Sequence, residues 1–196
     1  KGVRQSGKTY LLKEFGRQAY ADMAYFNFEG NEPLQKCFER DLDPQRILVE
    51  LGVLHRKAIN PGKTLLVFDE IQFCNRALTA LKYFCEDAQQ YHIACAGSLL
   101  GVALSKPLSF PVGKVDLRVM RPMSFFEFAG ANGEEEMLAF LAALDREKAV
   151  PETFTGRLAD LLSAYYIAGG MPEAAAKWIE TRDVTEVEVV QRRILD

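Results

Sequence analysis

The fold of this chain can be predicted from its opening stretch, Gly2-Val3-Arg4-Gln5-Ser6-Gly7-Lys8-Thr9, which follows the pattern G-x-x-x-x-G-K-T of a phosphate-binding P-loop. The two glycines allow the backbone to wrap closely around an anion, because glycine has no Cβ. The backbone N–H groups of residues 5–9 would then point at the phosphates, and the helix that begins here would add the positive end of its dipole. The stretch therefore predicts a triphosphate site at the start of the chain.

Side chains at the end of this loop are suited to a nucleotide and its metal ion. The Lys8 ammonium is expected to reach the β- and γ-phosphates, and the Thr9 hydroxyl is expected to ligate Mg²⁺. Apolar residues then recur at helical spacing, which predicts that a helix begins at the loop. The predicted nucleotide contacts are Gly2, Gln5, Ser6, Gly7, Lys8, Thr9 and Tyr10.

A second informative stretch, residues 64–70, reads T-L-L-V-F-D-E, an unbroken apolar run that ends on two carboxylates. A run without alternation is typical of a strand that is buried on both faces, as in a parallel sheet. Ligands of open α/β sheets bind at the carboxyl ends of the strands, where these two carboxylates lie. This is a Walker B pattern, in which Asp69 would orient the Mg²⁺ shell and Glu70 would polarise the attacking water.

Ser98 follows the next apolar run, at residues 91–96, and the sequence leaves two interpretations of it open. In many P-loop ATPases a polar residue at the tip of the strand after Walker B senses the γ-phosphate, and Ser98 is the candidate for this role. Serine is also a preferred N-cap, so Ser98 could instead begin a helix over residues 99–104. The predicted catalytic set is Lys8, Glu70 and Ser98.

Composition argues against several other classes of protein. Acidic residues (27) outnumber basic ones (24), so the net charge of −3 provides no global attraction for nucleic acid. The four cysteines form no C-x-x-C pair, which favours free thiols in a reducing cytoplasm over a metal site. The longest run without Asp, Glu, Lys or Arg, residues 88–105, contains glutamines, a histidine and glycines, so no membrane span is predicted.

The chain is predicted to form a P-loop ATPase core over residues 1–121 and a small α-helical lid over residues 122–196. We expect the first strand of the core to precede residue 1, because a P-loop follows a strand. Within the core, a strand is predicted at 23–28, loops at 30–33 and 105–112, a helix opened by Asp43, and a half-exposed edge strand at 114–120. In the second part, Ser124 and Glu127 form a capping box.

These motifs together resemble a family of bacterial and archaeal AAA-type ATPases, related to the archaeal and STAND ATPases, whose members often carry a C-terminal domain of unknown function. The matching blocks are residues 2–9, F-D-E-I-Q at 68–72, A-G-S at 96–98, P-M-S-F-F-E-F at 122–128 and G-G-M-P-E at 169–173. The resemblance implies ATP and Mg²⁺ as cofactors, with Asp69 and Glu70 in the roles given above. It implies a P-loop NTPase fold with three α/β/α layers and a mostly parallel sheet of the additional-strand type.

Two functional hypotheses follow. The first is an Mg²⁺-dependent ATPase whose hydrolysis drives a conformational change. The alternative is an ATP-dependent regulatory switch or interaction module with little hydrolysis of its own, since Gly113-Lys114 stands where family members commonly have Gly-Arg. Arg118 and Arg121 are the substitutes for an arginine finger, but surface salt bridges are the more common use of such residues. Self-association or a protein partner is compatible with both, whereas work on DNA has only fold analogy in its favour.

Overall fold

The computed structural model describes residues 1–98, 113–145 and 147–195. The chain forms two compact units, Lys1–Met120 and Arg121–Asp196. The helix predicted at 99–104 and the loop predicted at 105–112 lie outside the described residues.

The first unit is built on three parallel strands, β1 (Asp22–Asn27), β2 (Thr64–Asp69) and β3 (His92–Cys95), in the order β1-β2-β3. Every residue of β2 is buried, as expected for a central strand between two layers of helices. The register pairs Asn27 of β1 with Asp69, so the carboxyl ends of these strands meet at one edge of the sheet. That edge is where ligands of such sheets bind.

Helices cover both faces of this sheet and give it three α/β/α layers, as predicted. The helix α1 (Lys8–Ala19) packs on the face that includes Met23 and Leu65. On the other face the core is formed by strand residues such as Phe26 and Phe68 and by the helices α2 (Glu32–Lys36), α3 (Pro44–His55) and α4 (Asn75–Asp87). Asp43 caps α3, because its carboxylate accepts a hydrogen bond from the Gln45 N–H at 3.1 Å.

Two predictions for this unit are wrong. The loop predicted at 30–33 contains the start of α2, because Asn31 accepts a hydrogen bond from the Leu34 N–H and acts as its N-cap. Residues 114–119 form no strand in the described structure, and the alternating segment makes a single parallel bridge, between Met120 and Gly2. Val115 packs against the core, but Leu117 and Val119 are exposed.

The second unit is helical in its described residues. Its helices are α5 (Phe125–Ala131), α6 (Glu135–Ala143), α7 (Glu152–Ala168), α8 (Pro172–Thr181) and α9 (Val184–Leu195). The helix α5 joins two small apolar clusters, because Phe128 packs with residues of α7, α8 and α9 while Ala129 packs with residues of α6 and α7. None of the helices that the structure describes is long and apolar enough to cross a membrane.

Candidate functional site

The P-loop bends sharply because two of its residues adopt left-handed backbone conformations. Gln5 has a φ of 59° and Gly7 a φ of 86°, a region that only glycine enters without strain. The helix α1 then begins without a side-chain cap, and its first backbone hydrogen bond runs from the Leu11 N–H to the Gly7 carbonyl at 2.9 Å. The N–H groups of residues 8–10 are therefore left without partners in the helix, and they are available to an anion.

The start of the loop is held against residues 118–120 by the backbone. The Met120 N–H donates to the Lys1 carbonyl at 2.7 Å, and the backbone nitrogen of Lys1 donates to the Arg118 carbonyl at 2.6 Å. Only glycine fits at residue 2, because a Cβ on Gly2 would lie 2.3 Å from the Met120 carbonyl oxygen. The first glycine of the motif is thus required for close approach and the second for its positive φ.

Lys8 and Ser6 hold the loop closed from inside. The Lys8 ammonium donates to the carbonyl oxygens of Gly2, at 3.1 Å, and Val3. The buried Ser6 hydroxyl donates to the same Val3 carbonyl at 2.9 Å. Burial lowers the pKa of Lys8 from its usual value, and the nearby carboxylates of Glu70 and Asp69 oppose this shift.

Asp69 is the most heavily bonded side chain of the site and is 2% exposed. Its Oδ2 atom accepts hydrogen bonds from the Thr9 hydroxyl at 2.6 Å and from the Tyr25 hydroxyl at 2.7 Å. Its Oδ1 atom accepts one from the Glu70 N–H at 3.0 Å. The hydroxyl and the carboxylate that the sequence assigns to Mg²⁺ are therefore in direct contact.

Glu70 lies just beyond β2 in a left-handed backbone conformation, with φ 50° and ψ 40°. Its Oε2 atom accepts hydrogen bonds from the Gln72 amide and from the Ser98 hydroxyl, the latter at 3.4 Å. Ser98 thus lies beside the residue expected to act on water. The alternative role of Ser98 as an N-cap concerns a helix outside the described residues.

The residues predicted to be catalytic or to bind the metal lie in one cluster. Lys8, Thr9, Asp69, Glu70 and Ser98 come together where α1 begins and β2 and β3 end. The side chain of Tyr10 is 70% exposed, so its predicted contact with a nucleotide depends on its backbone N–H.

A sequence profile of the AAA domain family matches residues 1–129, about two thirds of the chain. The chain belongs to the AAA domain family. No curated protein shows significant similarity to it.

Two solved structures resemble this AAA domain protein in fold. One is the Walker-type ATPase PABY2304 of Pyrococcus abyssi, with a TM-score of 0.52, 18% sequence identity and coverage of 99% of this chain and 65% of that one. The other is C. elegans PCH-2, with a TM-score of 0.51, 17% identity and coverage of 98% of this chain and 59% of that one. The AAA domain chain therefore spans less than two thirds of the length of either protein.

The residues of this AAA domain fit a magnesium nucleotide. Mg²⁺ prefers oxygen ligands and is usually held by one or two carboxylates together with substrate phosphates. Thr9 and Asp69 supply such oxygens next to the unpaired N–H groups of α1. The described residues contain no group of three or more His, Cys, Asp or Glu side chains that could hold a metal ion.

Sequence reasoning did not single out Tyr25 or Gln72 as site residues. Tyr25 bonds to Asp69 and Gln72 bonds to Glu70, so each contacts one of the two carboxylates. The contact of Gln72 could have been predicted from the sequence, because Gln72 lies two positions after Glu70, in a short 3₁₀ turn (Ile71–Phe73). Tyr25 was not, because its contact depends on the register between β1 and β2.

Proposed function

We propose that this chain is an ATPase module that binds ATP with Mg²⁺ at residues 2–9 and couples hydrolysis to a conformational change. The observation that carries the proposal is the direct Thr9–Asp69 contact, 2.6 Å long, beside Lys8 and the unpaired N–H groups of α1. One anion site would then be surrounded by the Lys8 ammonium, by the Thr9 and Asp69 side chains and by the backbone N–H donors of α1. The proposal agrees with membership of the AAA domain family.

Each residue of the site would have a separate role in hydrolysis. The loop amides and Lys8 bind the phosphates and offset the negative charge that develops on them. Glu70 orients a water and takes its proton as the new P–O bond forms and the bond to the bridging oxygen breaks, which yields ADP and phosphate. Ser98 lies beside Glu70 and would contact the γ-phosphate. Mg²⁺, when bound, would be held by Thr9 and Asp69 and would supply a Lewis acid at the phosphates.

One observation favours a second candidate, a nucleotide-dependent switch with little hydrolysis of its own. Gln72 and Ser98 both donate to the Oε2 atom of Glu70, so the carboxylate is oriented by the chain itself rather than by a water. Hydrolysis would then require a partner, or a second copy of the chain, that frees Glu70. Turnover that rises more steeply than protein concentration would support self-association.

The test is nucleotide binding and turnover in the Lys8→Ala and Glu70→Gln variants. Loss of the Lys8 ammonium should weaken Mg·ATP binding by about 30-fold, because a hydrogen bond to a charged group contributes about 2 kcal/mol. Glu70→Gln should preserve binding and lower turnover by about 100-fold or more, the usual loss of general-base assistance. The exposed Lys82, on α4, provides a matched control as Lys82→Ala.

The outcomes separate the two candidates. Binding without turnover in the unmodified chain would favour the switch. Unchanged binding in Lys8→Ala would eliminate the P-loop as the nucleotide site, and unchanged turnover in Glu70→Gln would eliminate the role of Glu70.

We also propose that a strand formed by residues before Lys1 completes the sheet. Among the described residues, β3 pairs only with β2, and a groove of about 500 Å³ lies between its other edge and residues 114–118. The bridge between Gly2 and Met120 is parallel, so chain continuing back from Lys1 would run along this groove. The groove lining includes Cys85, Ile93, Ala94, Cys95 and Leu117.

A thiol-labelling experiment tests this strand. In a chain extended by its natural upstream residues, Cys85 should react with a maleimide more slowly than in the 196-residue chain, and nucleotide should bind more tightly. Cys37 and Cys74 are buried and should react slowly in both. Equal labelling rates and equal affinities in the two chains would refute the proposal.

A further inference from the structure

Asp69 is held from three directions, and only one of these contacts comes from the P-loop helix. Thr9 of α1 and Tyr25 of β1 both donate to Oδ2, at 2.6 and 2.7 Å, while the Glu70 N–H donates to Oδ1 at 3.0 Å. Together these bonds set the rotation of the carboxylate about its own axis. The hydroxyl of Tyr25 is the only one of the three donors that neither belongs to the P-loop nor is adjacent to Asp69 in the chain.

Tyr25 reaches Asp69 because of the strand register. The register pairs Asn27 with Asp69 and Tyr25 with Val67, so Tyr25 lies two residues back along β1 and on the same face of the sheet as Asp69. A tyrosine side chain is long enough to span this offset. The Lys13 ammonium lies over its ring, 4.2 Å from the ring centroid.

The Tyr25 hydroxyl is a reliable donor at neutral pH. A tyrosine phenol ordinarily loses its proton only near a pKa of about 10, so at neutral pH the proton stays on the phenol. A neutral donor leaves the negative charge of Asp69 intact. Its effect is therefore on the direction of the carboxylate rather than on its charge.

We propose that Tyr25 is a positioning residue for the magnesium ion and acts on it through Asp69. The inference rests on the proposed function, since it requires Thr9 and Asp69 to hold the metal. When Thr9 turns an oxygen lone pair toward the ion, Tyr25 keeps Asp69 aimed at the metal shell. Loss of a hydrogen-bond partner behind a metal ligand typically costs 10- to 100-fold in metal affinity or activity.

The test is Tyr25→Phe, which removes the hydroxyl and keeps the ring under Lys13. Binding of a non-hydrolysable ATP analogue should require about 10-fold more Mg²⁺ for half-saturation. In EDTA the variant should bind the analogue within about 2-fold of the unmodified chain, since no metal is then involved. Mn²⁺ binding in the presence of the analogue, followed by electron paramagnetic resonance, should weaken in parallel and provides a readout that needs no turnover.

Two variants serve as controls. Tyr20→Phe removes a tyrosine hydroxyl of the same unit that bonds to His92 at 2.8 Å, and it should leave the Mg²⁺ dependence unchanged. Lys13→Met removes the cation from the Tyr25 ring but keeps the bond to Asp69, so its Mg²⁺ dependence should also stay unchanged.

Three results would overturn the inference. The first is an unchanged Mg²⁺ dependence in Tyr25→Phe. The second is an equal loss of affinity with Mg²⁺ and in EDTA, which would mean that Tyr25 supports the fold alone. The third is an equal shift in Lys13→Met, which would assign the effect to ring packing. If the unmodified chain binds no analogue under either condition, the proposed function itself fails, and the inference fails with it.

Discussion

The first turns of α1 and α5 differ in whether side chains cap their backbone N–H groups. In α5, the Ser124 hydroxyl accepts from the Glu127 N–H at 3.3 Å, and the Glu127 carboxylate accepts from the Ser124 N–H at 2.7 Å. In α1, Gly7 provides no side-chain cap. In α5, side chains therefore supply partners for two backbone N–H groups at the helix start, whereas in α1 no side chain does so.

The charges at the two helix starts also differ, because the first turn is acidic in α5 and basic in α1. Glu127 lies in the first turn of α5, where the helix dipole stabilises a negative charge. The first turn of α1 contains no acidic residue and begins with Lys8, a cation that the dipole disfavours. The sequence of α1 thus gives up local stability, and a bound phosphate would restore it. The two helix starts thus separate residues that stabilise the fold from residues that we propose bind a ligand.

The largest effect expected from this comparison is that of Gly7→Ala. A Cβ at a φ of 86° strains the loop and would move the N–H groups that we propose bind the phosphates. Loss of two such charge-assisted hydrogen bonds, at about 1.5 kcal/mol each, predicts about a 100-fold weaker affinity for Mg·ATP. Calorimetric or fluorescence titration of the nucleotide would measure this.

Gly62→Ala is the matched control for that substitution. Gly62 also has a positive φ, 67°, but it lies in an exposed turn where a Cβ would meet no other atom within 4 Å. The strain should lower the free energy of unfolding by about 1 kcal/mol and leave the affinity unchanged. If both glycine variants lost affinity equally, general destabilisation would explain the result and the P-loop geometry would not.

The features that the sequence predicted correctly are those set by local patterns. The helix start after the P-loop, the buried strand β2 and the capping box of α5 each depend on residues within a few positions of one another. The three α/β/α layers follow from the order of these elements.

The features that the sequence did not predict depend on long-range partners. Alternation at 114–120 predicts a strand, yet pairing requires a neighbouring strand, and the described structure offers this segment only the Gly2 bridge. The contact between Tyr25 and Asp69 joins residues 44 positions apart and depends on the register of β1 against β2. Neither feature has a signal in the residues around it.

The smaller effect expected from the comparison is that of Ser124→Ala. Loss of the N-cap hydroxyl should lower the free energy of unfolding by about 1 kcal/mol, as measured by denaturant titration. Nucleotide affinity should stay unchanged, because Ser124 is not among the residues that we propose bind the nucleotide. A change in affinity as large as that in Gly7→Ala would contradict the assignment of α5 to stability alone.

The pH dependence of the same variant sharpens this assignment. Hydrogen bonds from the Ser124 N–H and hydroxyl hold the pKa of Glu127 below its usual value. A carboxyl with a lowered pKa stabilises the fold above its unfolded pKa, about 4.3, and loses that contribution as the pH falls through the lower folded value. The difference in unfolding free energy between the unmodified chain and Ser124→Ala should therefore be largest near pH 7 and shrink below about pH 4.

In the Glu127→Gln background, where an amide replaces the carboxylate, the same difference should not vary over this range. A difference that is constant with pH in the unmodified background would show that Glu127 does not take part in the cap.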